Sequence, residues 1–174
     1  MPSKKKERFY HGNISWGTVK DIENIYILDA EEQITEEALR YTTLVPKNNI
    51  LIVTRVGLGK IALNKVDVAI NQDIISVFIE KKEGILPRFL LFFLLTCSKE
   101  IEEKGRGTTV KGISISFIKT FKIPLPPLER QKEIVEFLDI QFQALEKIRK
   151  LRENAEKTIK LILEKEVVGG RQDV

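Results

Sequence analysis

The alternation of apolar and polar residues changes character several times along the chain. In "ISWGTVKDI" (14–22) apolar residues occupy alternating positions, which predicts a short strand near the surface of a core. In "QITEEALRY" (33–41) Thr35 precedes two glutamates and an Ala-Leu pair, which predicts a short helix with that threonine as N-cap. Pro46 and the asparagines after it predict a turn that ends this region.

A β pattern begins at residue 49. Three segments, "NILIVTRV", "IALNKVDVAI" and "DIISVFIEK", are rich in Val and Ile and are separated by Gly, Asn or Asp, which predicts a meander of three strands. The next segment, "PRFLLFFLLTCSKEIEEKG" (87–105), predicts one buried helix with Pro87 in its first turn and Gly105 as its C-cap. "ISISFIKTFKI" (113–123) predicts a helical turn that leads into a strand.

Three prolines and a long uninterrupted segment follow. Pro124, Pro126 and Pro127 hold φ near −65° and cannot donate ladder hydrogen bonds, so the chain should leave the strand in a fixed, extended direction. From Leu128 to Lys165 there is neither Gly nor Pro, which predicts a helix on the order of 55 Å long. Its apolar stripe, which needs a partner helix, has 3-4-3 spacing followed by a skip: Val135, Leu138, Phe142, Leu145, Ile148, Leu151 and Ala155.

These elements predict an α+β protein in two parts. Residues 1–127 should form a globular domain with a twisted sheet and packed helices, and residues 128–174 a long coiled-coil helix. We interpret the helix as a dimerisation element.

The amino-acid composition limits the kinds of partner and catalytic site that this chain is expected to have. Twenty-nine Lys and Arg against 25 Asp and Glu give a net charge of +4, which suits an anionic partner. Cys97 and His11 are the single cysteine and histidine, so a disulfide, a His/Cys zinc site and a Ser-His-Asp triad are not expected. The apolar run 89–95 is much shorter than the roughly 20 residues of a membrane span, so we expect a cytoplasmic protein without membrane contact.

The turn from Gly57 to Lys60 invites comparison with a phosphate-binding loop. Ile61 follows the lysine where a P-loop has Ser or Thr, and a predicted strand follows where a P-loop has a helix. The alternatives are a plain hairpin turn, or a turn that carries Arg55 and Lys60 toward a nucleic-acid backbone.

A second alternative is a metal-dependent nuclease. Asp73, Glu80 and Lys82 follow one another loosely on a predicted strand, and such a set can hold Mg²⁺ and polarise a water. Strand ends with mixed charges are also common as solvated surface.

The glycine-rich loop 104–114, "KGRGTTVKGIS", is the stronger candidate for DNA contact. Basic side chains and hydroxyls bind phosphate oxygens and base edges, and glycines let the backbone approach a duplex closely. The loop brings together Lys104, Arg106, Thr108, Thr109 and Lys111. Tyr10 and Trp16 are aromatic candidates for base stacking, although both are also suited to a core.

The segment "RGTTVKGISISFIKTFKIPLPPLERQKEIVEFLD", followed by a long helix, resembles the end of a target recognition domain and its adjoining helix in the specificity (S) subunits of type I restriction-modification enzymes. "FYHGNISWGTVKDI", "ITEEAL", "LIVTRVGLGKIAL" and "AINQDIISV" resemble that domain in the same order, so the resemblance covers about residues 2–165. It implies an α+β recognition domain on an antiparallel helical spacer.

The resemblance also implies a role. In that family the S subunit is not catalytic: it reads duplex DNA and docks modification (methyltransferase) subunits, and a restriction motor subunit joins the complex. S-adenosylmethionine, ATP and Mg²⁺ are therefore expected only in partner subunits, with no cofactor or metal in this chain. The Arg55–Lys60 turn, residues 71–73 and the 107–112 loop fall where the family has DNA-facing or domain-shaping motifs, so the expected DNA-binding residues are Arg55, Lys60, Gln72, Lys104, Arg106, Thr108, Thr109 and Lys111.

A typical S subunit has two recognition domains and two spacer helices, whereas this chain shows one of each, and "MPSKKKERFY" resembles a stretch that normally follows an opening strand. We therefore expect a half-length form in which two copies pair antiparallel through the helices from Leu128 to Lys165. The alternative is an accessory fragment that binds other subunits without useful DNA affinity of its own.

Overall fold

The computed structural model describes residues 7–79, 84–106 and 112–169. The chain divides into two compact units, Met1–Lys132 and Glu133–Val174. The first unit contains two four-stranded sheets and three α-helices, and the second consists of the continuation of one long helix, so the α+β class is confirmed.

The first sheet has the strand order β3-β1-β7-β4. Its strands are β1 (Tyr10–Gly17), β3 (Glu32–Ile34), β4 (Thr43–Val45) and β7 (Val68–Ile70). The strand predicted at 14–22 thus lies earlier in the chain. It ends where it does because the Thr18 amide and hydroxyl both donate to the Asp21 carboxylate at 2.7 Å, which turns the chain.

The short helix predicted in this region is present as a 3₁₀ helix, Glu36–Tyr41. Thr35 occupies the N-cap position as predicted, but its side chain does not cap the helix. The hydroxyl donates instead to the Arg8 carbonyl oxygen at 3.0 Å, so tertiary contact takes the group that local capping would use.

The second sheet has the strand order β2-β6-β5-β8. Its strands are β2 (Tyr26–Ile27), β5 (Ile50–Val53), β6 (Ile61–Asn64) and β8 (Ile74–Val77). Every residue of β5 and β6 is buried, which explains why these segments are continuously apolar and do not alternate.

The predicted three-strand meander is wrong because "IALNKVDVAI" is two strands in different sheets, β6 and β7. The cause is Asn64, which is fully buried. Its side-chain amide donates to the carbonyl oxygens of Val45, Pro46 and Val66 and accepts from the Asn49 amide, so it ends β6 and turns the chain toward the first sheet.

The predicted single helix over 87–105 is two helices, α1 (Pro87–Thr96) and α2 (Ser98–Arg106). Pro87 starts α1 as predicted. The break lies at Cys97, whose amide donates to the Leu94 carbonyl oxygen in a tight i to i−3 bond. Gly105 lies inside α2 and is not a C-cap; a Cβ there would overlap the Leu58 side chain.

After a short helix α3 (Ile115–Ile118), capped by the Ser114 hydroxyl, residues 119–127 contain no strand, so the strand predicted up to residue 123 is wrong. The long helix α4 then runs from Leu128 to Gly169. Its first turn belongs to the globular unit. No helix in the described ranges is both long and apolar enough to cross a membrane.

Candidate nucleic-acid interface

Two turns lie side by side at one end of the second sheet. The first joins β5 to β6, and the second, Asn71–Asp73, joins β7 to β8. Because Val53 at the end of β5 pairs with Ile74 at the start of β8, the two turns emerge at the same edge. Arg55, Lys60 and Gln72, which the sequence assigned to DNA contact, are all exposed on these turns.

The β5–β6 turn owes its shape to two glycines. Gly57 and Gly59 have φ values of 81° and 86°, a region that L side chains rarely adopt. The turn also packs closely against α2: the Ser98 hydroxyl donates to the Gly59 carbonyl oxygen at 2.5 Å, and a Cβ at Gly59 would lie 2.9 Å from the Ser98 carbonyl oxygen. The helix therefore holds this turn in one conformation.

The Lys60 side chain passes close to Gly57 of its own loop, where a Cβ would lie 3.6 Å from the Lys60 Cδ. Its Nζ donates to the Val19 carbonyl oxygen at 3.3 Å, on the connection between β1 and β2. The turn leads into strand β6, so it lacks the helix that follows a P-loop. The structure thus matches the hairpin interpretation, with a lysine at the surface.

The second turn is fixed by its own side chains. The Asn71 carboxamide oxygen accepts from the Asp73 amide at 3.0 Å, the usual bond of an Asx turn. The Asp73 carboxylate lies 3.8 Å from the Arg55 guanidinium, which links the two turns. Gln72 lies exposed at the tip, between two residues that the hydrogen bonds hold in place.

Thr54 joins three chain segments at this edge. It is buried, its amide donates to the Asp73 carbonyl oxygen at 2.8 Å, and its own carbonyl oxygen accepts from the Ile113 amide at 2.9 Å. At Gly112, a Cβ would lie 3.0 Å from the Thr54 carbonyl oxygen. The end of the glycine-rich loop therefore returns to the two turns. In the sequence, this convergence is indicated only by Gly112.

The remaining predicted residues are placed less completely. Lys104 is exposed on α2, with its Nζ 5.9 Å from the centre of the Phe117 ring. Arg106 ends α2, and nothing is described of its side chain. Thr108, Thr109 and Lys111 lie outside the described residues, as do Glu80 and Lys82 of the nuclease alternative.

This edge presents the guanidinium of Arg55, the ammonium group of Lys60 and the carboxamide of Gln72. In protein–DNA complexes, groups of these kinds contact phosphate oxygens and base edges. Over the ranges that the structure covers, no group of three or more His, Cys, Asp and Glu side chains could hold a metal ion. Trp16 is 2% exposed in the core of the first sheet, so it is not available to stack on a base.

The residues predicted for dimerisation fall into two groups on α4. Val135 is buried, and Leu138 and Phe142 are half-buried. Leu145, Ile148, Leu151 and Ala155 are exposed. Further apolar residues of α4 that the 3-4-3 spacing did not include are exposed as well, among them Phe137, Ile140, Ile159, Leu161, Ile162 and Leu163.

Comparison with known proteins identifies a protein family. The family model for the type I restriction modification DNA specificity domain matches residues 1–157. The chain belongs to this family. The predicted resemblance is thereby confirmed.

Individual relatives agree with the family. The chain is 32% identical to the type I restriction enzyme MjaIX specificity subunit of Methanocaldococcus jannaschii, over 90% of this chain and 37% of that protein. It is 36% identical to the EcoR124I/EcoR124II specificity subunit of Escherichia coli, over 79% of this chain and 36% of that protein. The chain therefore spans little more than a third of these curated relatives.

A solved structure shows the same fold. The HsdS subunit from Thermoanaerobacter tengcongensis superimposes with a TM-score of 0.61 at 18% identity, over 95% of this chain and 40% of that chain. A half-length specificity chain fits these proportions.

Proposed function

We propose that this chain is the non-catalytic, DNA-reading component of a type I restriction-modification system. The observation that carries the proposal is the convergence of the β5–β6 turn, the Asn71–Asp73 turn and Gly112 on Thr54, in a chain that belongs to the specificity-domain family. The turns are held by hydrogen bonds, so their exposed side chains are presented in a fixed arrangement, as sequence recognition requires.

The exposed side chains fall into two classes, those with a positive charge and those with a neutral hydrogen-bonding group. Arg55, Lys60 and Lys104 carry positive charge and are suited to phosphate oxygens, which position a protein on DNA. Gln72 carries both a donor and an acceptor and is suited to a base edge, for example of adenine. Within the glycine-rich loop, we assign Arg106 and Lys111 to phosphates and Thr108 and Thr109 to positioning contacts.

The complete reader is proposed to be a homodimer. The chain has one globular unit and one long helix and spans little more than a third of its curated relatives, so two copies would supply two recognition domains and two helices. Pairing through α4 would place the two DNA-reading edges at a fixed separation, and the target would be an inverted repeat with a constant gap.

The dimer would dock modification subunits, which supply S-adenosylmethionine chemistry, and through the complex a restriction motor subunit with its ATP and Mg²⁺. We expect this assembly in the cytoplasm, where its duplex DNA substrate is found. No cofactor is assigned to the chain itself.

In vitro selection on random-sequence duplex DNA tests the proposal directly. Purified chain should enrich an inverted repeat with constant spacing, and Gln72→Ala should relax the base preference at one position in each half-site. Lys47→Ala, an exposed cation that precedes β5 at the opposite end of the second sheet, is the matched control and should leave the selected sequence unchanged. Failure to enrich any sequence, alone or with a modification subunit, would overturn DNA reading.

The exposed apolar residues of α4 favour one alternative, an accessory fragment that binds other subunits without reading DNA. In that case a recombinant modification or full-length specificity subunit would capture the chain, and the selection would enrich nothing even in the captured complex.

A further inference from the structure

Arg55 is an exposed cation of the proposed DNA-reading edge whose side chain is confined at two points. Its Nη1 lies 3.8 Å from an Asp73 carboxylate oxygen. Its aliphatic stem passes Gly112, where a Cβ would lie 3.4 Å from the Arg55 Cγ. The side chain is still 58% exposed, so the guanidinium is directed by its neighbours and remains open to a ligand.

Asp73 is itself held in place by hydrogen bonds. Its amide donates to the Asn71 carboxamide oxygen at 3.0 Å, and its carbonyl oxygen accepts from the Thr54 amide at 2.8 Å. The Asn71 Nδ2 donates at 3.4 Å to Oδ2 of the carboxylate, and Oδ1 is the oxygen that lies beside Arg55. The carboxylate is therefore a fixed point that orients the Arg55 guanidinium.

The ion pair gives Arg55 an electrostatic setting different from that of Lys60. The Lys60 Nζ donates to an uncharged group, the Val19 carbonyl oxygen, so the lysine keeps its full charge. Beside Arg55, the Asp73 carboxylate offsets the positive charge, and a phosphate that approached the guanidinium would also approach that carboxylate. Like charges a few ångströms apart repel each other. A neutral acceptor is therefore a better ligand for Arg55 than a phosphate oxygen.

The donors of the guanidinium suit one base in particular. At 3.8 Å the contact with Asp73 is too long for a hydrogen bond, so the N–H donors are available to a ligand. Their planar fork matches two adjacent acceptors, and in the major groove guanine presents such a pair, O6 and N7. We propose that Arg55 reads a guanine and that Asp73 is the positioning residue that directs its guanidinium and disfavours phosphates. The inference rests on the proposed DNA reading and names the base that one residue contacts.

Replacement of one atom of the DNA tests the contact. In the duplex that the wild-type chain selects, each guanine is replaced in turn by 7-deazaguanine, in which a C–H group takes the place of the N7 acceptor. One replacement should weaken wild-type binding at least about fivefold, the lower end of what a bidentate contact contributes. Arg55→Ala should bind the normal and the modified duplex equally. Lys60→Ala is the matched control, because it should weaken binding overall and keep the sensitivity to 7-deazaguanine.

Arg55→Lys keeps the charge and removes the planar fork. In vitro selection with this variant should therefore lose the preference for guanine at one position of the selected site. We expect the discrimination against the other bases at that position to fall roughly 5- to 150-fold. Preference at the other positions should be unchanged.

Asp73→Asn separates a positioning role from a purely structural link between the two turns. Asparagine can keep the Asx turn with Asn71 but removes the negative charge. The preference for guanine should weaken at the same position, whereas binding to random-sequence duplex should strengthen because Arg55 then accepts phosphates. The slope of log K against log salt should grow in magnitude by about 0.9 for each Arg55. A purely structural link predicts weaker binding to every sequence and no steeper slope.

The inference and the proposed DNA reading can fail separately. A selected sequence in which no 7-deazaguanine weakens wild-type binding, or sensitivity that persists in Arg55→Ala, would overturn the inference and leave DNA reading intact. A slope that falls by about 0.9 for each Arg55 in Arg55→Ala would assign this residue to a phosphate and overturn it as well. If thermal unfolding shows that Asp73→Asn does not fold, Arg55→Lys and the modified duplexes still decide. A chain that enriches no sequence, alone or with a modification subunit, would overturn DNA reading and this inference together.

Discussion

At the scale of single residues, Gln131 links the start of the long helix to the globular unit. The side chain is fully buried in the first turn of α4. Its carboxamide oxygen accepts from the Leu86 amide at 2.8 Å, and its Nε2 donates to the carbonyl oxygens of Gly84 and Pro126 at 2.8 Å. One side chain thus forms hydrogen bonds with backbone groups of both the segment before α1 and the proline segment before α4.

Replacement of this glutamine should be costly. Gln131→Met keeps the volume but leaves a buried amide and two carbonyl oxygens without these partners, so we expect the free energy of unfolding to fall by about 2 to 3 kcal/mol. Urea denaturation measures the change, and Gln143→Met, at an exposed position of the same helix, should alter stability by less than about 0.5 kcal/mol. Equal effects of the two substitutions would contradict the role assigned to Gln131.

At the scale of elements, the proposed DNA-reading edge depends on how the β5–β6 turn fits against α2. Gly59 has a positive φ, and a Cβ there would also meet the Ser98 carbonyl oxygen. Gly84 has a φ of 62°, but a Cβ there would have no atom within 4 Å. Substitution of Gly84 should therefore measure backbone strain alone, whereas substitution of Gly59 should measure backbone strain together with close packing.

Gly59→Ala should destabilise the protein more than Gly84→Ala. Left-handed backbone alone costs about 1 to 2 kcal/mol for a residue with a Cβ, and only Gly59 adds an overlap with backbone atoms. Thermal unfolding compares the two variants, and DNA binding should weaken in Gly59→Ala because the turn must shift. Similar losses of stability in both variants would show that α2 does not confine the turn.

At the scale of the whole molecule, the symmetry of the proposed homodimer would double every contact with DNA. If a dimer binds an inverted repeat, Lys104→Ala removes two phosphate contacts per complex, so the slope of log K against log salt should fall in magnitude by about 1.8. A monomer would lose about 0.9. Titration of a selected duplex at several salt concentrations distinguishes the two values, with Lys47→Ala as the control that should leave the slope unchanged.

Several features of this protein follow from local sequence alone. The long helix needs no tertiary information, because 42 residues from Leu128 to Gly169 contain no proline and glycine only at the end. Pro87 marks the start of α1 for the same local reason, and the family motifs between residues 106 and 139 identified the class of protein before any geometry was known.

Other features required the tertiary structure, because they depend on contacts between distant residues. Polar residues stand at the centre of the segment 61–70, but only the hydrogen bonds of Asn64 to Val45 and Pro46 show that the segment is divided between two sheets. Likewise, helical spacing identified an apolar stripe on α4, but only the tertiary structure distinguished the buried Val135 from exposed residues such as Leu145 and Ile148. The convergence of two turns and a loop on Thr54 is of the same kind, because its partners Asp73 and Ile113 lie far along the chain.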